Sequence, residues 1–383
     1  MKVPLFDMTR QYEKIRTEVL NTIDEIFKSG KVVLGKHVKN LEENIEKYMN
    51  VKNAIGVANG SDALVIAVKA LNLNPGDYVI TTPYTFFATA SCIVRNGLTP
   101  IFVDIEEKYY NIDLNEVERI LKTHPQKEKI KAIIPVHLFG KTVDMKKLLE
   151  LKEKYNLKVI EDTAQAIGAV WYDGDKKIYA GTASEFGTIS FFPTKNLGGY
   201  GDGGMIVSNN DELSQKAKYL RVHGASKKYY HDEVGFNSRL DEVQAAILDI
   251  KLKQLDEYIE KRINVAKIYK KLFTENGLNE YIEYPEVFKD RTHVYHQYVI
   301  TLKSGNRDEL FKHLKENEIG TSIYYPKGLH LQKCFEDLGY KEGDFPITEK
   351  ACKTTIALPI FPELTEKEQE HVVKTIKNYF KGE

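Results

Sequence analysis

Three stretches of this chain set reactive side chains where the backbone is expected to turn. In Phe186-Gly187-Thr188-Ile189-Ser190-Phe191-Phe192-Pro193-Thr194-Lys195-Asn196-Leu197-Gly198-Gly199 a lysine follows an apolar run and sits among small residues. An amine so placed is partly stripped of water, gives up its proton more readily and becomes a nucleophile toward carbonyl carbon. Ser190, at the end of the run, is then free to hold a phosphate. Taken alone, Lys195 reads more simply as a solvated loop lysine. In Val159-Ile160-Glu161-Asp162-Thr163-Ala164-Gln165-Ala166 a strand-like run ends in a carboxylate, followed shortly by an amide. A fixed carboxylate is what keeps the pyridine nitrogen of an electron-sink cofactor protonated, and Asp162 is the candidate; a helix cap is the plainer alternative. In Gly56-Val57-Ala58-Asn59-Gly60-Ser61-Asp62-Ala63-Leu64 a strand gives way to a small-residue turn that opens a helix at Ser61 or Asp62. Free N–H groups and the helix dipole make such a turn a seat for a phosphate, or a cap without a ligand.

Two other patterns invite chemistry and do not sustain it. Gly199-Tyr200-Gly201-Asp202-Gly203-Gly204 has the spacing of a dinucleotide fingerprint, but Met205-Ile206-Val207-Ser208 after it reads as a strand. The fingerprint requires a helix there. The His293-x-x-His296 pair lacks the glutamate of a zinc helix and lies in a β-type run, so no metal is expected.

The elements that must position these residues follow from periodicity. Short apolar runs at Ala54–Ala58, Tyr78–Thr81, Thr99–Val103, Ile130–Val136, Lys158–Ile160, Phe186–Phe191 and Gly204–Ser208 alternate with helical stretches such as Asp62–Leu71 and Asp144–Tyr155. This alternation predicts an open, mostly parallel α/β sheet with helices on both faces, and function gathers at the carboxyl ends of its strands. Two surface helices are expected over residues 12–50, interrupted at Gly30 and Gly35, and one long amphipathic helix over 240–275. Beyond it, strand-like Val294–Leu302 and helices at Arg307–Glu316 and Glu366–Tyr379 predict a smaller α+β unit. The domains are therefore expected at 1–250 and 251–383.

A chain of 383 residues, 42% of them hydrophobic, is long enough for two cores. Lys plus Arg and Asp plus Glu balance at 55 each, so no global field draws nucleic acid or an anionic membrane. Cys92, Cys334 and Cys352 are far apart in sequence and form no C-x-x-C pair, which fits a reducing cytoplasm. The N-terminal stretch has no apolar run of the kind a signal peptide needs. Tyr78–Val94, broken by Pro83, is too short and polar to span a bilayer.

Together the segments resemble the DegT/DnrJ/EryC1/StrS family of sugar aminotransferases, enzymes of the fold type I pyridoxal-phosphate (PLP) class. The resemblance runs from Pro4-Leu5-Phe6-Asp7 through Asn59-Gly60-Ser61-Asp62-Ala63-Leu64, Pro83-Tyr84-Thr85-Phe86-Phe87-Ala88-Thr89, Glu161–Gln165 and Ser190–Asn196. It continues through Asn237-Ser238-Arg239-Leu240-Asp241 and Tyr324-Tyr325-Pro326 to Leu358-Pro359-Ile360-Phe361-Pro362. It implies that Lys195 holds the cofactor covalently, that Asp162 partners the pyridine nitrogen, that Gln165 lies beside the ring hydroxyl and that Phe86 stacks on the ring. Gly60, Ser61 and Ser190 would grip the phosphate, with Asn237 of the partner subunit of a homodimer. Arg239, Tyr324, Tyr325 and His330 would lie near the sugar nucleotide. The implied reaction takes an amino group from L-glutamate to a keto sugar nucleotide. The Asn-Ser-Arg-Leu run is more similar to relatives acting at C-3 than at C-4. A PLP-dependent dehydratase, a cyclic-polyol aminotransferase and a non-catalytic sugar-nucleotide regulator are the alternatives; Lys195, where dehydratases carry histidine, favours transamination.

Overall fold

The computed structural model describes residues 1–286 and 288–382; residues 287 and 383, inside the segment expected as the smaller domain, lie outside the described residues. Helices α1 (Thr9–Ser29) and α2 (Lys36–Met49) open the chain. Each buries one stripe, Ile15, Val19 and Ile26 on α1 and Val38, Leu41 and Ile45 on α2, and each ends on a left-handed residue, Gly30 or Asn50. The first N–H groups of α2, at His37 and Val38, donate to the Glu242 carboxylate, which caps the helix from far along the chain.

There follow β1 (Asn53–Val57), α3 (Gly60–Ala70), β2 (Tyr78–Thr81), α4 (Ala88–Val94), β3 (Thr99–Phe102), α5 (Leu114–Thr123), β4 (Ile130–Ile133), α6 (Met145–Tyr155) and β5 (Lys158–Asp162). A hairpin, β6 (Val170–Asp173) and β7 (Lys176–Tyr179), precedes β8 (Phe186–Ser190), β9 (Gly204–Ser208) and α7 (Asp211–Leu220). The apolar runs picked out above become one seven-stranded sheet, ordered β1-β9-β8-β5-β4-β2-β3. Its neighbours pair in parallel except where β9 meets β1 and β8. Along β9, Ile206 packs with Ile55, Ile66 and Phe186 on one face; Met205 and Val207 pack with Leu41 and Leu248 on the other. That period of two, apolar on both sides, is what a sheet covered by helices on both faces requires. Because β2, β5 and β8 run parallel, their carboxyl ends open on one side of the molecule, which brings the loops after Thr81, Asp162 and Ser190 together.

A short hairpin, β10 (Ala225–Lys227) and β11 (Tyr230–His231), leads to α8 (Glu242–Leu252) and α9 (Leu255–Glu275). The single helix expected over 240–275 is thus two. The apolar period continues across the break at Lys253 and Gln254, which conceals it; the available signal was Asp256 and Glu257, acids suited to a helix's first turn. The chain closes with β12 (Ile282–Glu283), β13 (Tyr298–Leu302), α10 (Arg307–Glu316), α11 (Pro346–Thr354), β14 (Thr355–Leu358) and α12 (Glu366–Lys381). The strand expected from Val294 begins only at Tyr298, since Tyr295 takes φ 46° and breaks the extended run. Strands β12-β13-β14 form an antiparallel sheet against α9, α10 and α12, with Tyr269, Phe273, Ile300, Leu310 and Val372 in its core. Val3 enters the same core, so the first residues pack with the C-terminal part of the chain.

Beneath β5 lies a buried polar knot. The Glu161 carboxylate accepts from Gly181 N (2.8 Å), Ala183 N (3.1 Å) and Ser184 Oγ (2.7 Å) and faces His137 Nε2 at 2.8 Å. His137 Nδ1 accepts from Val143 N, so the ring proton sits on Nε2 and donates to Glu161. Burial alone would raise the Glu161 carboxyl, but His137, Ser184 and Gly181 outweigh it and hold the group below its ordinary 4.5. Its contribution to stability is complete above that ordinary value and is lost as pH falls through the lower folded value. Glu161→Ala leaves His137 and several N–H groups without an acceptor, and chemical denaturation is expected to show a loss of about 3–5 kcal/mol.

Candidate active site

Asp162 closes β5, and its side chain is fixed at both oxygens: Thr89 Oγ1 donates to Oδ2 at 2.8 Å and Ala164 N to Oδ1 at 3.1 Å. Burial pushes its carboxyl above the ordinary carboxylate range, while Thr89, Ala164 and the charge of Lys195 pull the other way. Lys195 in turn is brought down to about 8, chiefly by burial, against the opposing pull of Asp162. The residue keeps some exposed surface, yet the protein around it is dense enough for burial to dominate its acidity. Each group perturbs the other, and the parallel pairing of β5 with β8 sets Asp162 opposite Thr188, near the strand end from which the Lys195 loop leaves.

The loop carrying Lys195 is tied down on every side. Lys195 N donates to Phe192 O and Gly199 N to Phe191 O, each at 2.8 Å. Buried Asn196 donates to Val294 O at 3.0 Å, and the Lys251 ammonium donates to Gly198 O. A side chain at Gly198 would meet Pro193 O at 2.4 Å, so the turn closes only around glycine. Behind the lysine, Gln11, Asn196 and Arg262 help line a void of about 10 Å³, enough for one water.

The turn after β1 sits directly against the end of β8. A Cβ on Gly60 would lie 2.6 Å from Ser190 Cβ, and one on Gly204 would lie 2.4 Å from the carbonyl of Asn59. Asn59 caps α3 by accepting from Asp62 N at 2.8 Å, so the helix opens at Gly60, earlier than Ser61 or Asp62. Bare backbone N–H groups at a helix start, beside a serine hydroxyl, form an anion cradle that added side chains would fill. The fit to a phosphate is good. Gly60→Ala is expected to force Gly60 and Ser190 apart at a cost of roughly 1–3 kcal/mol; equilibrium dialysis of PLP from the variant should show weaker retention.

Phe86 is 59% exposed and stands one turn before Thr89, whose N–H donates to Phe86 O, so a free aromatic face and the hydroxyl that fixes Asp162 share one turn. Gln165 is buried; its Oε1 accepts from Phe139 N at 2.7 Å and its Nε2 donates to Tyr325 Oη at 3.1 Å. Tyr324 O accepts from Tyr84 Oη at 2.5 Å. Asn237 is exposed and Arg239 partly so, on either side of Ser238, whose hydroxyl accepts from Ala58 N at 3.1 Å.

Residues 13–377 match the pattern that defines the DegT/DnrJ/EryC1/StrS aminotransferase family. The chain belongs to this family. A pleiotropic regulatory protein of Geobacillus stearothermophilus is 48% identical over 381 residues, covering 100% of this chain and 99% of that protein. A UDP-N-acetyl-3-dehydro-alpha-D-glucosamine 3-aminotransferase of Acidithiobacillus ferrooxidans is 37% identical over 99% of this chain and 98% of its own length. Among solved structures, S. venezuelae DesV in complex with a ketimine intermediate superposes with a TM-score of 0.92 at 34% identity, covering 99% of this chain and 98% of that one.

In this aminotransferase His330, expected near the substrate, is buried, its ring against Phe345 and its Nε2 3.2 Å from Glu349, while its Nδ1 has no hydrogen-bond partner among the described residues. The Gly199–Gly204 run leads into β9, as the strand-like residues after it required. Three contributors escaped the sequence reading: Asn59 as the cap, Thr89 as partner of Asp162, and Gly204 under the cradle. Only Asn59 carried a signal, as a capping residue type just before a helical run. His293 and His296 are both buried, and burial holds both imidazoles well below their ordinary range. Among the described residues no cluster of His, Cys, Asp or Glu is placed to hold a metal ion, and no helix is long and apolar enough to cross a membrane.

Proposed function

We propose that this chain is a PLP-dependent aminotransferase that carries the amino group of L-glutamate to the C-3 ketone of a nucleotide-linked sugar. The observation that carries the reading is the parallel pairing of β5 and β8, which sets Asp162, held by Thr89 and Ala164 N, at the strand ends from which the Lys195 loop leaves. When bound, PLP supplies an electron-poor ring that stabilises negative charge at the carbon losing its proton. Asp162, held by Thr89 and Ala164 N, keeps the ring nitrogen positive. Lys195 takes the proton from one carbon and returns it to another, a task suited to an amine of pKa near neutrality. Gln165 is fixed by Phe139 N and Tyr325 and would stand beside the hydroxyl of the bound ring, and the exposed Phe86 would cover one of its faces. Gly60, Ser61 and Ser190 receive the phosphate, with Asn237 of the partner subunit across a homodimer interface. Arg239, Tyr324 and Tyr325 face the sugar nucleotide, where the guanidinium suits a diphosphate or a sugar carboxylate. The three cysteines are unpaired, which suits a reducing cytoplasm.

C-3 is supported by Asn237-Ser238-Arg239-Leu240 and by the name of the Acidithiobacillus relative. A regulatory reading is favoured by the name of the Geobacillus relative. Against it stands the intact pair of acid and amine, which binding without turnover does not need. The two separate when a panel of 3-keto and 4-keto nucleotide sugars is incubated with glutamate and 2-oxoglutarate release is followed. Release with 3-keto substrates is expected. Release with 4-keto substrates alone would reject C-3, and none at all from PLP-loaded protein would favour regulation.

A further inference from the structure

A cleft of about 820 Å³ lies between the loop after β3, the Phe139–Lys141 turn and the β12-β13 sheet, and Lys195 is not among its lining residues. Its charged rim is mostly self-neutralised: Lys108 pairs with Glu286 (2.8 Å), Lys350 with Glu107 (2.6 Å) and Lys303 with Glu283 (3.8 Å). Lys141 is different. It is 5% exposed and lines the cleft; its ammonium lies 5.6 Å from the Phe139 ring centroid and makes no side-chain hydrogen bond or ion pair among the described residues. Glu106 is near enough to feel its charge, but no ion pair joins them. His293 lies opposite Lys141 in an antiparallel bridge, which sets the two side chains together. Its Nδ1 accepts from Tyr295 N, so the ring proton is on Nε2, and that buried donor also has no acceptor among the described residues.

A buried donor without an acceptor, the His293 Nε2–H, beside an unpaired ammonium is costly unless something supplies oxygen lone pairs. The walls beside them are aromatic: Tyr110 and Phe139 line the cleft with ring centroids 6.0 Å apart, and both hold φ at 61°, a strained backbone state common where ligands are clamped. We propose that this cleft binds a small organic anion whose acidic group is received by Lys141 and His293 and whose flat ring lies against Tyr110 and Phe139. The anionic group is a phosphate or a carboxylate, and the ring distinguishes this ligand from a bare ion. Phe139 joins the two sites, since its ring lines the cleft while its N–H donates to Gln165.

Calorimetric titration of the PLP-loaded enzyme with adenosine monophosphate, benzoate and inorganic phosphate tests this. Saturable binding of adenosine monophosphate or benzoate is expected, and whichever binds identifies the acidic group. Lys141→Met should weaken it about tenfold or more, as loss of a charge-assisted hydrogen bond implies, and Lys141→Arg should keep most of it. Thermal unfolding of both variants shows whether they are folded; if the Met variant is not, covalent acetylation of Lys141 in the wild type, located by mass spectrometry, should be slowed by the bound probe. Absence of binding by both ringed probes, or binding that Lys141→Met leaves unchanged, overturns the proposal. Inorganic phosphate binding as tightly as the ringed probes overturns the part played by Tyr110 and Phe139.

Discussion

Lys195→Ala is expected to lower amino transfer from glutamate by about 10²- to 10⁴-fold or more, the range carried by a positioned general acid–base. The loop does not depend on the amine for its shape, because Asn196, Gly198 and the backbone bonds at Lys195 and Gly199 hold it. The variant should therefore keep a cooperative unfolding transition and lose turnover. In the wild type, borohydride should fix the cofactor to Lys195, and peptide mass spectrometry reads the position; an adduct on another lysine would sink the assignment. The cofactor-free protein supplies a pH test. With burial holding Lys195 at about 8, its neutral, reactive fraction grows as pH rises through that value. The rate of PLP uptake, followed by absorbance, should rise with a midpoint near pH 8 rather than near the ordinary lysine value of 10.5.

Asp162→Ala is expected to cost about 10²- to 10³-fold in kcat, in line with loss of one preorganised electrostatic partner of the reacting system. Asp162→Asn is the sharper variant, since the amide still accepts from Thr89 while the negative charge is gone. Its turnover should fall nearly as far, which separates charge from shape. It also moves the lysine in a predictable direction. The carboxylate raises the Lys195 pKa, so removing its charge lets that pKa fall and shifts the midpoint of PLP uptake to lower pH. An unchanged midpoint would mean that the two groups do not share a site.

Much of this was legible from residue order. The strands of the large sheet lie close to the apolar runs, because a strand buried on both faces must be apolar throughout. Asp162, Lys195, Ser190 and Gly60 stand out as candidates because chemistry on a parallel sheet sits where strands end, and strand ends are visible as changes in residue type. The β6-β7 hairpin was missed: Val170–Asp173 runs from buried to exposed and Lys176–Tyr179 from exposed to half-buried, over too few residues to show a period. The break between α8 and α9 was missed because Leu252 and Leu255 are both buried and the apolar spacing runs on through it.

What residue order settled by itself is the class of fold and the family with its cofactor, and it named an acid and an amine as candidates, from local patterns of polarity and turn-forming residues. What only the tertiary structure decided is which distant groups meet. Thr89 reaches Asp162, Gly204 lies against Asn59, Gln165 joins Tyr325, and His330 turns inward to Glu349. These contacts depend on strand order and on the docking of the C-terminal sheet, and neither leaves a trace in the spacing of residues along the chain. The reason is physical: local sequence governs backbone conformation over a few residues, whereas side-chain partners are chosen by the packing of the whole core.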